Sequence, residues 1–362
     1  MQEAILYQKL KNNRVHCDVC QRRCLIFEGK SGHCRTRLNK KGKLYTLIYG
    51  LASSVCSDPI EKKPVFHYRP GTHALSLGTW GCNFRCVFCQ NYNLSYVDGK
   101  ILENTARKIN NFDEKIQEEI GDSREIPTGG ILEPKTILKL SQQENCQGIA
   151  WTYNEPVIWL EYTLEGSKLA KKAGLYTVYV TNGYATTKAL DTIGPYLDVW
   201  RVDIKSMEDK FYQEIAEIPK VSPILENTVR AQKKWKMHVE VVTNLIPGMN
   251  DSEDNLKKTA EWIFKNLGRD TPWHITRFFP YLELKHLPPT PIETLEHAQR
   301  IGKKAGLKFV YLGNLSNHPG ENTICPKCAN LVIKRSGYDT NLLALDKKGN
   351  CKKCGEGLNI VS

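Results

Sequence analysis

The sequence predicts an α/β protein, a parallel β/α barrel with small cysteine-rich appendages at either end, and three observations predict it. From Ala74 onward, short apolar runs alternate with helical patterns, the signature of βα units on a parallel sheet. Residues of unusual character fall at the C-terminal ends of the predicted strands, the face on which parallel barrels build active sites. The 13 cysteines partition into Cys17, Cys20, Cys24 and Cys34, then Cys82, Cys86 and Cys89, then Cys325, Cys328, Cys351 and Cys354. Cys56 and Cys146 are left over and read as buried small apolar side chains.

A chain of 362 residues can bury a sizeable core. Its mean hydropathy of −0.44, the lack of any apolar run near about 18 residues, and an N-terminus (1–14) without an apolar h-region argue against a membrane span or secretory signal. The expected place is the cytoplasm, where this many cysteines read as metal ligands rather than disulfides. The formal charge of +12 counts every cysteine as neutral. Two four-thiolate zinc sites at −2 each and one three-thiolate cluster at −1 bring it to about +7, since ligating thiols are deprotonated. The lysines are scattered in pairs rather than massed in a stripe, so nucleic-acid binding is possible but not favoured.

Three segments follow: 1–70, a cysteine-rich metal-binding region and connector; 71–316, the barrel; and 317–362, a zinc-ribbon or rubredoxin-like tail. Residues 1–14 read as a short helix with apolar Ala4, Ile5, Tyr7 and Leu10. Cys17-x2-Cys20-x3-Cys24 and Cys34 then supply four ligands within 18 residues, read first as a closed structural zinc site and second as another iron–sulfur cluster. His33 reads as a surface residue. Leu44 to Val55 suits a strand or hairpin arm, and Asp58-Pro-Ile-Glu-Lys-Lys-Pro64 is a proline-bounded connector that cannot be a central strand. His67 and His73 suit packing or hydrogen bonding.

Strands are expected near 74–80, 148–153, 175–181, 197–204, 238–245, 273–279 and 307–312. Helices are expected near 134–145, 156–173, 185–194, 222–236, 251–267 and 291–305, with Gly174 and Gly306 as stops. After the strands come, in order, the three-cysteine loop, Asn154-Glu-Pro156, Thr181-Asn-Gly183, Asp203 with Lys205, Asn244 to Gly248, Pro280, and Gly313-Asn314. Residues 98–126 break the rhythm as a solvated helical insertion or a lid. In the tail, Cys325-x2-Cys328 and Cys351-x2-Cys354 lie 22 residues apart with β-like segments Leu331 to Arg335 and Leu342 to Leu345 between them. They read as a zinc ribbon or a rubredoxin-like iron site.

The loop Gly78 to Asn91 carries most of the chemistry. Its C-x3-C-x2-C offers three thiolates where a cubane iron–sulfur cluster normally takes four, which leaves one iron open to a non-protein ligand. The spacing, with Phe88 before the last cysteine, resembles the radical S-adenosylmethionine (SAM) superfamily. The whole set, including Tyr153-Asn-Glu-Pro156, Thr181-Asn-Gly-Tyr184, Asp203-Ile-Lys205, Leu245-Ile-Pro-Gly248, Pro288-Pro-Thr-Pro291 and both outer cysteine groups, resembles the radical SAM component of the AmmeMemoRadiSam system. That group is related to pyruvate formate-lyase activating enzymes.

The resemblance implies a partial (β/α)6 barrel with SAM and one [4Fe–4S] cluster at its C-terminal mouth. Cys82, Cys86 and Cys89 would be the catalytic cluster ligands, and Phe88, Asn154, Glu155, Thr181, Asn182, Asp203 and Lys205 the SAM-binding residues. Asn154-Glu155-Pro156 stands where relatives have Gly-Gly-Glu-Pro near the SAM amino group, and Lys205 suits the SAM carboxylate as a point charge. Val180 stands where the activases have an aspartate. Expected partners are SAM, a reductant such as flavodoxin or ferredoxin, and an unidentified substrate, with no membrane.

Three readings therefore compete. One is a radical SAM enzyme that cleaves SAM to a 5′-deoxyadenosyl radical and abstracts hydrogen from its substrate. The second is a glycyl-radical-enzyme activase whose substrate is a partner protein. The third is a zinc-stabilised module that binds nucleic acid or protein, with zinc but no iron and a salt-dependent affinity.

Overall fold

Seven apolar runs pair side by side as parallel strands. The computed structural model describes residues 1–98, 102 and 131–362, and they form an eight-stranded sheet whose order follows the chain. β1 (Ser54–Pro59) is the antiparallel edge against β2 (His73–Gly78). β3 (Gly148–Trp151), β4 (Tyr176–Thr181), β5 (Val199–Asp203), β6 (His238–Leu245), β7 (Trp273–Arg277) and β8 (Val310–Gly313) continue in parallel. All seven strands expected from the sequence are present. Pro59 ends the edge strand, where a missing N–H costs no ladder bond.

The crossovers carry α1 (Pro134–Gln143), α2 (Leu160–Lys172), α3 (Thr187–Ile193), α4 (Asp209–Ala216), α5 (Ser222–Lys233), α6 (Glu253–Asn266) and α7 (Ile292–Lys304). This is an open, partial barrel of six βα units followed by a last strand, with β1 and β8 as its unpaired edges among the described residues. Gly174 and Gly306 take positive φ (76° and 100°) just past α2 and α7, as helix-stopping glycines do. α4, with Phe211, Tyr212 and Ile215 buried, was not foreseen. Among the described residues no helix is long and apolar enough to cross a membrane.

Strand alternation splits the side chains into two sets. Trp151, Tyr179, Trp200 and Trp273 are fully buried in the main apolar core. Arg201, Asp203, Val242, Asn244, His274 and Thr276 face the central cavity instead. The connector after β1 fills the barrel floor: Ile60 and Val65 are buried against Ala74, Ala150, Val178 and Val199. Glu240 on β6 anchors it, its carboxylate accepting hydrogen bonds from the Phe66 and His67 amides (2.9 and 2.8 Å). His238 and His274 also bond it, through Nε2, at 3.0 and 2.6 Å.

Residues 1–14 are not a helix. They form Gln2–Glu3 and Tyr7–Lys9, the latter paired with Val15–Cys17 in a hairpin whose turn residues Asn12 and Asn13 both have positive φ. Two left-handed residues in succession end any helix and match a hairpin turn, which the short Asn side chain tolerates. Of the apolar positions of that expected helix, Ile5 and Leu10 are exposed and Ala4 is buried. Of the arm expected over Leu44 to Val55, only the start forms one: Lys43–Thr46 pairs with Arg37–Lys40, the chain then turns, and Ser54 and Val55 open β1. The N-terminal region and the barrel share one apolar core. They are also joined by a buried pair, with Arg37 Nη1 and Nη2 bonding both oxygens of Glu161 on α2 at 2.9 and 2.8 Å.

Three smaller expectations also change. Cys56 is exposed, because it sits on the solvent side of the edge strand, whereas Cys146 is buried as expected. His33 is partly buried and its Nε2 fully so, because the loop carrying Cys34 folds against the barrel. The second β segment of the tail is Asp339–Leu342, not 342–345; with Thr323–Ile324 and Leu331–Ser336 it makes a three-stranded antiparallel sheet. The insertion at 98–126 lies outside the described residues, apart from Asp98 and Leu102.

Candidate active site

Cys82, Cys86 and Cys89 line the mouth of a cavity of about 470 Å³ at the C-terminal ends of the strands. Their loop is pinned from several sides. Asn154, after β3, donates from Nδ2 to the Gly81 carbonyl (2.6 Å) and accepts from the Thr79 amide (3.2 Å). The Val87 amide reaches the Ile215 carbonyl of α4 at 3.1 Å, and Arg85 spans to the carbonyls of Ser95 and His33. Gly81 is required where it stands: φ is +82°, and a Cβ would lie 2.6 Å from the Cys34 carbonyl oxygen. Burial pushes the Cys86 thiol up to about 12, against the pull of Lys205, and lifts Cys82 and Cys89 as well. Thiols held this way ionise when a metal centre takes them.

Beside the loop, a ledge joins the ends of β3 and β4. Glu155 accepts from Thr181 Oγ1 (2.8 Å), the Asn182 amide (2.7 Å) and the Val157 amide (3.0 Å). Burial nevertheless raises its carboxyl to about 7, with those hydrogen bonds opposing. Asn182 Nδ2 donates to Asn83 Oδ1 (2.7 Å), which ties the ledge to the cysteine loop. Across the cavity Lys205 Nζ bonds Asp203 (2.8 Å) and lies 5.6 Å from the Phe88 ring centroid. Burial works against that ammonium, but Asp203 and Cys86 hold its pKa above the ordinary lysine value. Burial also opposes the Asp203 carboxylate, which Arg201 and Lys205 keep below the usual range.

All ten residues expected at this centre, namely the three cysteines with Phe88, Asn154, Glu155, Thr181, Asn182, Asp203 and Lys205, line one cavity. Val180 lines it too. Three further contributors were missed. Arg201 pairs with Asp203, and its buried Nε has no partner among the described residues. Its signal was a cation alternating with Asp203 on an otherwise apolar strand. Tyr153, at φ +72°, donates to Asp58 Oδ2 (2.8 Å) under the Lys63 ammonium, 4.7 Å from its ring centroid. Glu321, whose carboxyl burial raises to about 7, brings from the C-terminal side a buried oxygen without a partner among the described residues.

The outer cysteine groups lie elsewhere and differ. Cys325, Cys328, Cys351 and Cys354 bring their sulfurs within 4.8 Å of one another, with Cys325 to Cys354 at 3.6 Å and Cys328 to Cys351 at 3.8 Å. One tetrahedral ion with thiolates at about 2.3 Å requires that spacing. Cys17, Cys20, Cys24 and Cys34 surround a small cavity instead.

Residues 78–263, just over half the chain, match the radical SAM superfamily. An uncharacterized protein of Methanocaldococcus jannaschii is 38% identical over 362 residues, 100% of both chains. The pyruvate formate-lyase-activating enzyme of Clostridium pasteurianum is 23% identical over 187 residues, 52% of this chain and 67% of that one. Among solved structures, a radical SAM methyltransferase from Sphaerobacter thermophilus aligns over 67% of each chain at 13% identity with a TM-score of 0.48.

Proposed function

This chain belongs to the radical SAM superfamily, and on that premise we propose that it cleaves SAM reductively at a [4Fe–4S] cluster held by Cys82, Cys86 and Cys89 and abstracts hydrogen from its substrate. The observation that carries the reading is the donor set: three free thiols on one loop at the barrel mouth, with no fourth cysteine among the described residues lining that cavity. When bound, the cluster supplies the electron that splits SAM into methionine and a 5′-deoxyadenosyl radical. The chain does the rest. Cys82, Cys86 and Cys89 would hold the group. Glu155, fixed by Thr181 and Asn182, sets negative charge for the SAM ammonium. Lys205, held by Asp203, sets positive charge for the carboxylate. Asn154 locks the loop, and the buried wall around Phe88 keeps water from the reacting centre.

The motif set from Cys17 to Cys354 supports placing the chain with the radical SAM component of the AmmeMemoRadiSam system, as a cytoplasmic enzyme served by flavodoxin or ferredoxin. The test is product analysis under anaerobic conditions. Reconstituted protein with dithionite and SAM should yield 5′-deoxyadenosine and methionine, and Cys86→Ala should not. Equal, negligible yields from both would end the proposal, and zinc without iron after reconstitution would return the binding module.

A second reading, action on a protein backbone as a glycyl-radical activase, is favoured by the similarity to the clostridial activating enzyme. It predicts an electron paramagnetic resonance doublet on an added glycyl-radical partner. A small-molecule product with no such doublet would exclude it.

A further inference from the structure

The four-cysteine group of the N-terminal region is built differently from the one at the C-terminus. Four zinc-bound thiolates sit about 2.3 Å from the ion and leave no room at the centre. Among the described residues, only the C-terminal group draws its sulfurs together within 4.8 Å. Cys17, Cys20, Cys24 and Cys34 instead line a cavity of about 10 Å³, room for about one water-sized sphere. Sulfurs spread wider than 4.8 Å around a void stand further apart than one zinc ion with bonds of about 2.3 Å would hold them, and a cluster spans that spacing.

The walls of that cavity point to an anionic occupant rich in acceptors. Arg37 Nε, Asn83 Nδ2 and His33 Nε2 are buried polar atoms without a partner among the described residues, and all three residues line it. Arg37 and Asn83 are 1% and 0% exposed. Three orphaned buried nitrogens around one void are costly unless something there accepts from them, and the sulfides of an iron–sulfur cluster accept N–H groups in this way.

The cavity also touches the catalytic loop. The Cys34 carbonyl packs so tightly on Gly81, the residue before Cys82, that no side chain fits between them. Asn83 lines the cavity while its Oδ1 lies 3.8 Å from Cys82 Sγ. On the outer side, Cys24 is only partly buried and Leu25 and Phe27 are exposed. In residues 1–43, ten Lys and Arg reach the surface against only Glu3 and Glu28 among the acids, since Arg37 and Asp18 are buried, and that surface suits an acidic partner.

We propose that Cys17, Cys20, Cys24 and Cys34 hold a second iron–sulfur cluster, which takes one electron from an acidic, low-potential redox protein and passes it across the Cys34–Gly81 contact to the cluster of Cys82, Cys86 and Cys89. The proposal rests on the radical SAM reading of the latter site. Each transfer oxidises the donor protein by one electron and reduces the N-terminal cluster. That cluster is reoxidised as the catalytic one is reduced, and no bond or proton changes hands.

The test separates the two clusters. In a Cys82→Ala/Cys86→Ala/Cys89→Ala variant the N-terminal ligands are untouched. Anaerobic reconstitution should leave about four irons and four sulfides per chain, with a dithionite-reduced paramagnetic resonance signal that SAM does not alter. A variant holding zinc or no metal at the N-terminal cysteines overturns the proposal, while wild-type protein with about four irons and a SAM-responsive signal would leave the radical SAM reading standing. In the reverse variant, Cys24→Ala, the SAM-insensitive signal should vanish and the SAM-responsive one persist, with reduction by ferredoxin slowed relative to wild type. Loss of only the SAM-responsive signal would likewise overturn it.

Discussion

Glu155 and Lys205 frame the site with opposite charges, and each is displaced from its ordinary titration for a different reason. Burial lifts Glu155 to about 7 even though three donors serve its oxygens. Its folded pKa is thus above its unfolded one, so the free protein loses stability as pH rises from the ordinary carboxyl range through about 7. A ligand ammonium beside it reverses that preference and draws the proton off. SAM affinity of the reconstituted protein, measured by calorimetry, should therefore rise from about pH 6 to about pH 8 more steeply than in Glu155→Gln. SAM's own amine titrates alike in both, so parallel profiles would take Glu155 out of the site. Lys205→Met removes a cation that Asp203 already positions, and the loss of a charged hydrogen bond should weaken SAM by ~1.5–3 kcal/mol. An unchanged dissociation constant would contradict this.

β6 joins two functions, because Asn244 reaches the cavity rim while Glu240, four residues earlier, holds the floor. Glu240→Ala leaves two histidines and two amides without an acceptor, and should cost about 3–5 kcal/mol in urea unfolding at neutral pH. Burial opposes its charge, but the hydrogen bonds from His238 and His274 hold its carboxyl well below the usual range. This stabilisation is complete above the ordinary carboxyl pKa and drains away as pH falls. Glu240→Gln should show the shallower acid dependence, and equal slopes would refute the assignment. The strands were legible because Val, Ile and Trp alternate with small or polar residues between glycine-ended helices, and strand ends then placed the site residues without any distance being known. The N-terminal hairpin was misread because Ala4, Ile5, Tyr7 and Leu10 imitate a helical face, although Val15 and Cys17 carry the alternation and Asn12-Asn13 the turn. α4 escaped because two turns of helix give too short a period. The Arg37–Glu161 pair spans 124 residues, and no local pattern announces it.

At the scale of the molecule, the tail does not hang from the barrel but completes it. Phe66, Phe309 and Tyr311 share one apolar cluster with Val332, Ile333 and Leu358. Arg335 lies 4.0 Å over the Phe66 ring and bonds its carbonyl at 3.0 Å. Removing metal from the C-terminal four-sulfur site should therefore lower the melting temperature of the whole protein. Calorimetry of Cys328→Ala/Cys354→Ala should show one transition moved down, and a barrel transition left in place would disprove the shared core. The sequence marked this tail by its paired cysteines; the shared core was invisible because its barrel members read only as strand and connector. The connector has one further effect. Ile60 and Val65 stopper the base of the strands, and Glu61, Lys62, Lys63, Pro64 and Phe66 from the same connector line the chamber above them. The stopper is thus made by the chain itself, and a short stretch of sequence outside the sheet sets how deep anything entering the chamber can sit.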